Sequence, residues 1–251
     1  MTQFRPGRFE ILPMVIKNLL IINLLIYLAQ YTIPETTFDF DRYFALHTWQ
    51  SPLFKPWQFF TYMFLHGSWP HVLGNMFALW MFGSTLENLW GPKRFIIFYL
   101  VCGLGAALCH MTVLYFENNA MIAQLEAINS DGALQAFIAK YGQGYNIEYS
   151  AQGAMHLAGG LLNVGTLGAS GAVVGCLAAF GYLFPNDYIY LNFLFPIQVK
   201  WAVLIYIGTE LALQFQNSAG DSVAHIAHLG GALIGFLMVY FWKKNDRRSL
   251  Y

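Results

Sequence analysis

Three short stretches carry side chains suited to acyl transfer: HGSWPHVLGNM over residues 66–76, GTLGASGA over 165–172 and AHIAHLGGALIG over 224–235. A serine hydroxyl is a poor nucleophile until a base removes its proton, and histidine does this near neutral pH. Ser170 and His228 supply that pair. Acyl transfer also needs hydrogen-bond donors aimed at the developing oxyanion. His71 and Asn75 stand four residues apart, a spacing that puts both on one face of a helix. The backbone N–H of Ser170 is a third donor if the residue opens a helix, because the first helical N–H groups lack intrahelical partners.

These residues must be positioned by membrane-spanning helices. Hydrophobic residues make up 57% of the 251 and charged residues only 10%, against about 25% charged in soluble domains. Such a chain has too few charges to cover a soluble surface. Zero net charge gives no basis for a nucleic-acid partner. A helix crosses the hydrocarbon core with about 20 apolar residues, and six segments qualify: roughly 13–33, 72–90, 94–116, 166–185, 199–216 and 223–242. The expected architecture is an all-α, polytopic bundle of six transmembrane helices, a single membrane domain over 1–251 with its core at 13–242. AQYTIPETTF, after the first segment, offers no clear cleavage site, so that segment is expected to stay as a helix.

Lysine and arginine set the orientation. With a cytoplasmic amino terminus, the inside carries Arg5, Arg8, Lys17, Lys93, Arg94, Lys200, Lys243, Lys244, Arg247 and Arg248, and the outside only Arg42, Lys55 and Lys140. Both termini are then cytoplasmic. Spans two, four and six all run inward, and His71, Ser170 and His228 each lie in their first turns. The three therefore share one depth, just below the outer surface. Gly171 with Gly175, and Gly231 with Gly235, form GxxxG pairs that let spans four and six approach closely. That approach would bring the Ser170 hydroxyl within reach of a His228 ring nitrogen.

Each part also has a plainer explanation. Small residues around a membrane serine are usually packing, and Ala172 breaks the soluble hydrolase pattern G-x-S-x-G. His66 and His110 read as structural, and His47 and His156 as solvated loop residues. A metal site of His66, His71, His225 and His228 lacks a carboxylate or cysteine to join it. No metal or cofactor is expected. Cys102, Cys109 and Cys176 fit neither zinc nor disulfide spacing and read as packing residues. Glu210 in span five would suit a channel or transporter, but no inverted repeat accompanies it. Neither Glu210 nor Glu87, near the inner end of span two, is assigned to orient His228, so a dyad is expected rather than a triad. Two long outer segments remain. Residues 34–71 hold the aromatic run Trp57 to Phe60. Residues 117–165 form an insertion in which DGALQAFIAKYG reads as a short amphipathic helix, capped by Ser130 or Asp131 and ended by Gly142. That helix is expected to lie on the outer leaflet, with a lid or docking element as the alternative.

With these residues in view, the chain resembles the rhomboid family of intramembrane serine proteases over roughly 13–242. HGSWPHVLGN matches the family's H-x-x-x-N, GASGA its G-x-S-G, and AHLGGALIG its A-H-x-x-G-x-x-x-G. The last match selects His228 over His225, because only His228 is followed by Gly231 and Gly235 at the required spacing. The resemblance implies a six-helix core, a Ser170–His228 dyad, an oxyanion site of His71, Asn75 and the Ser170 N–H, and a membrane-dipping first loop around Trp57. It implies a serine endopeptidase that cleaves transmembrane or juxtamembrane segments of membrane proteins, with the lipid bilayer as its setting. A prokaryotic inner membrane is the default location. The alternatives are a rhomboid-like protein that binds helices without cutting them, and a channel or transporter. The chain departs from the family in three places. Gln58 stands where arginine is common, Val174 stands where some members carry an aromatic residue, and 117–165 is long for its position.

Overall fold

The computed structural model describes residues 9–191, 195–216 and 225–248. Arg5, Arg8 and the first two residues of the sixth predicted span lie outside them. Helix α1 (Met14–Thr32) begins after Pro13, which offers no side-chain cap. Its orphan N–H groups are met from elsewhere in the sequence. Val15 and Ile16 donate to the two carboxylate oxygens of Glu87 at 2.8 and 2.9 Å, a carboxylate at a positive helix end. A loop follows with short helices α2 (Phe40–Phe44) and α3 (Gln58–Thr61).

Helix α4 (Trp69–Ala78) starts at Ser68, whose hydroxyl accepts from the His71 N–H, with Pro70 in the first turn. A π-helical turn, Leu79–Gly83, joins it to α5 (Ser84–Trp90). Gly91, at φ +79°, ends that helix, and Pro92 opens α6 (Pro92–Glu126). This glycine-then-proline break uses one residue that tolerates the left-handed region and one that needs no N–H partner.

Helix α6 is 35 residues long and outruns the predicted 94–116. Its extension enters the insertion, where α7 (Asp131–Tyr141) and α8 (Ala151–Leu162) pack together. Ser130 caps α7 and Gly142 ends it. The apolar face of α7 does not await a lipid surface. Leu134 and Phe137 pack with Met121, Ala154, Leu157 and Ala158 in a small second core.

Helix α9 (Ser170–Leu183) leads into a two-stranded antiparallel hairpin, β1 (Tyr188–Leu191) and β2 (Phe195–Gln198). Helices α10 (Val199–Gln216) and α11 (His225–Arg248) complete the described chain. Among the described residues each predicted span overlaps a helical segment, although 166–169 of the fourth precede α9. Three helices among the described residues are long and apolar enough to cross a membrane: Met14–Thr32, Pro92–Glu126 and His225–Lys244. Ile21, Leu24, Leu25 and Leu28 of α1 are exposed, an apolar surface suited to lipid. The main core gathers Ile16, Leu79, Leu86, Phe95, Phe98 and Tyr99 around α6. Small residues replace bulk where α9 meets α11, bringing those two helices closest together.

Candidate active site

Ser170 is the first residue of α9. His228 lies one turn into α11, and its Nε2 stands 2.7 Å from Ser170 Oγ. The glycines explain how two backbones allow this. A Cβ on Gly231 would overlap the Gly171 carbonyl oxygen, and one on Gly235 would press on the Gly175 backbone. Gly168, just before the serine, has φ +131° and donates its N–H to the Tyr62 carbonyl at 2.9 Å. A side chain there would meet the His71 ring at 2.9 Å and Ser170 Oγ at 3.5 Å. The glycine keeps the space between them open.

His71 therefore sits beside the serine. The Gly67 N–H donates to His71 Nδ1 over a long 3.5 Å. A neutral ring with Nδ1 as acceptor carries its hydrogen on Nε2, the nitrogen facing Gly168. Asn75, one turn further along α4, is 8% exposed, and its Nδ2 is buried with no acceptor among the described residues. Buried amide donors are seldom left unpaired. Tyr62, His71, Asn75, Gly168, Ser170 and His228 line one cavity of about 790 Å³. A second cavity, of about 520 Å³, lies inside the insertion around His156 and Leu161 and contains none of these groups.

His228 Nδ1, on the far side of the ring, meets α10. Glu210 Oε1 is 3.0 Å away and the Tyr206 hydroxyl 3.2 Å. The other oxygen, Glu210 Oε2, is 2.6 Å from His225 Nδ1. Sequence reasoning left His228 without a carboxylate and did not single out Tyr206. The available signal was the four-residue spacing of Tyr206 and Glu210, which gives them one helix face. What it could not supply was that this face turns toward α11.

The remaining histidines sort by environment. His47 is buried, 3% exposed, with Nδ1 on the Asn163 carbonyl and Nε2 on that of Asp41, both at 3.1 Å. It is not a solvated loop residue; it ties the first loop to the end of the insertion. His156 is exposed on α8. His110 Nε2 is 2.8 Å from the Thr166 hydroxyl. His66, in the loop before α4, packs edge-on to His71 at 5.1 Å, and burial, reinforced by His71, pulls its pKa down to about 4. The four-histidine metal set does not assemble as one group among the described residues. The cluster that forms is Glu210, His225 and His228. Its 2.6 Å contact is a hydrogen-bond separation, shorter than the roughly 3.3 Å between ligand atoms on a tetrahedral zinc with 2.0–2.1 Å bonds.

Two departures gain a physical account. Gln58 is fully buried and knits the first loop. Its Oε1 accepts from the His47 and Lys55 N–H groups, and its Nε2 donates to the Leu53 and Tyr43 carbonyls. Val174 packs with Ala178, Ala232 and Tyr206 and does not stack on His228. The ring is held by α10 instead.

The chain is similar to several known proteins. The chain is 28% identical over 187 residues to Rhomboid protein 1, mitochondrial, of Saccharomyces cerevisiae, covering 72% of this chain and 40% of that one. It is 27% identical over 251 residues to Rhomboid-like protein 11, chloroplastic, of Arabidopsis thaliana, covering 92% and 66%. It is 27% identical over 191 residues to Rhomboid protease AarA of Providencia stuartii, covering 72% and 54%. The chain thus spans between 40% and 66% of the length of these relatives. A family model for the rhomboid domain matches residues 53–245, the region that holds every residue of the cavity just described, and on that match the chain belongs to the rhomboid family.

Proposed function

We propose that this protein is an intramembrane serine endopeptidase that cleaves transmembrane or juxtamembrane segments of other membrane proteins. The observation that carries this is the 2.7 Å contact between Ser170 Oγ and His228 Nε2, facing a cavity with a buried, unpaired Asn75 amide. Ser170 attacks the scissile carbonyl as His228 Nε2 takes the hydroxyl proton. The tetrahedral oxyanion is met by His71 Nε2–H, Asn75 Nδ2 and the Ser170 N–H. As the intermediate collapses, His228 returns the proton to the leaving amine and an acyl-enzyme remains. Water entering the cavity then hydrolyses that ester with His228 as base. A helical substrate holds its carbonyls in internal hydrogen bonds, so the cleaved segment must unwind first. Glycine, proline or polar residues near the cut favour this.

The proposed setting is a prokaryotic inner membrane with both termini cytoplasmic. The chain forms one domain there, with six spans, and carries the 117–165 insertion on the outer side. Lipid and transmembrane substrates are its partners, with no cofactor. A fluorophosphonate probe, applied to the purified protein in detergent and in lipid, tests the reading. Labelling of wild type, abolished in Ser170→Ala and His228→Ala, is the expected result. Folded wild type that resists the probe in lipid would replace this reading with that of a helix-binding, non-cleaving rhomboid-like protein.

A further inference from the structure

We propose that Glu210 is a positioning residue that completes a Ser170–His228–Glu210 triad, with His225 fixing the carboxylate. This inference rests on the proteolytic reading above and adds a third group to it.

The geometry is that of two polar contacts on opposite sides of one imidazole, a hydrogen bond at Nε2 and a close carboxylate at Nδ1. Nε2 faces Ser170 Oγ at 2.7 Å and Nδ1 faces Glu210 Oε1 at 3.0 Å. An ionised carboxylate only accepts, so a ring bonded to it carries hydrogen on Nδ1 and leaves Nε2 free as the base. The tautomer matters because the opposite one is inert toward the serine. Tyr206, 3.2 Å from the same Nδ1, would create that inert form if its hydroxyl donated to the ring. Tyr206 and Glu210, four residues apart, share one face of α10. With the carboxylate taking both the Nδ1–H and the phenolic hydrogen, all three groups are satisfied and the active tautomer is selected.

The burial supports the same assignment. Glu210 is 7% exposed and His225 6%, in predominantly apolar stretches of their helices. A carboxylate in that setting is costly unless paired. Here each oxygen has its own histidine, Oε2 on His225 and Oε1 on His228. His225 lies one turn before His228 on α11 and holds the carboxylate from the side away from the serine. When Ser170 loses its proton to Nε2, the imidazolium that forms has a fixed negative charge beside it. The proton stays on the ring throughout and Glu210 remains ionised. Val174, which cannot stack on His228, makes such support from α10 necessary.

The test compares wild type with Glu210→Gln, Glu210→Asp and His225→Gln in proteoliposomes, using a fluorogenic transmembrane peptide and the fluorophosphonate probe. Glu210→Gln should lower kcat by 100-fold or more with KM within about twofold, because the substrate cavity is untouched. Glu210→Asp should recover at least a tenth of wild-type kcat. His225→Gln should lose three- to thirtyfold. The second measurement is 15N NMR of histidine-labelled protein, with the His228 signal identified by its loss in His228→Gln. Wild-type His228 should carry its hydrogen on Nδ1 even if a Glu210 variant fails to fold. Wild type that is labelled through Ser170 and His228, while Glu210→Gln keeps kcat within threefold, would overturn the triad and leave the protease reading intact. A wild-type Nε2–H tautomer, or labelling that a chelator abolishes, would overturn the triad as well. Unlabelled wild type would remove both readings together.

Discussion

Gly231 of α11 lies directly on the Gly171 carbonyl of α9, so closely that no side chain fits between them. That contact sets the distance between Ser170 and His228. In Gly231→Ala the added methyl must push the helices apart, at about 1–3 kcal/mol for an overpacked site. Labelling of Ser170 should fall at least tenfold as the 2.7 Å contact opens. Gly159→Ala on α8 is the control, since a Cβ there meets nothing within 4 Å. Equal labelling of the two variants would show that the contact does not set the serine–histidine distance.

Asn75 carries a buried donor with no acceptor among the described residues. If it serves the oxyanion, Asn75→Ala should lower kcat by about 100-fold, the usual loss for one such donor. The thermal midpoint should stay level or rise, because removing an unpaired buried amide relieves a desolvation cost. A lower midpoint with unchanged kcat would assign the residue to packing.

Glu87 joins the start of α1 to α5. Glu87→Ala leaves the Val15 and Ile16 N–H groups without their acceptor, and about 2–3 kcal/mol of stability should be lost. Proteolysis of the amino-terminal helix in detergent should accelerate, while Ser170 in the remaining folded protein labels at the wild-type rate. Unchanged protease resistance would mean that α1 is held by its apolar contacts alone.

His66 supplies a pH dependence. Its folded pKa lies near 4, below the ordinary 6.5, because burial disfavours the cation. The unfolded chain therefore binds the extra proton first. The stabilisation is complete above about pH 6.5 and is lost as pH falls through that value toward 4, up to roughly 3 kcal/mol. Over that range the melting temperature of wild type should fall more steeply than that of His66→Phe. Parallel curves would count against a buried neutral ring.

Much of this fold is legible because bilayer length and apolar runs leave few choices. Each predicted segment overlaps helix among the described residues, and Ser130 and Gly142 bound α7 as their side-chain chemistry suggests. Local glycine spacing anticipated the close approach of α9 and α11. What escaped depends on partners distant in sequence. Helix α8 escaped because AQGAMHLAGGLL is apolar but short and glycine-rich, and it finds its core only against α6 and α7. His47 lies in a loop by sequence, yet its ring nitrogens sit against the carbonyl oxygens of Asp41 and Asn163. Glu87 and Glu210 look alike in sequence as carboxylates within apolar helices. Only the fold distinguishes them, giving one the end of α1 and the other the back of His228.

The π-helical turn at Leu79–Gly83 has one residue more than an α-helical path would use. An α-helix advances about 100° per residue, so this turn sets the angular phase between the two halves of span two. Above it, His71 and Asn75 point into the cavity; below it, Glu87 points at α1. Deleting a single residue from the turn would leave two intact half-helices whose functional faces no longer agree. Either the cavity would lose its donors or α1 would lose its anchor. The α4–α5 segment thus behaves as a two-part key, and the irregular turn between the parts determines whether both fit at once.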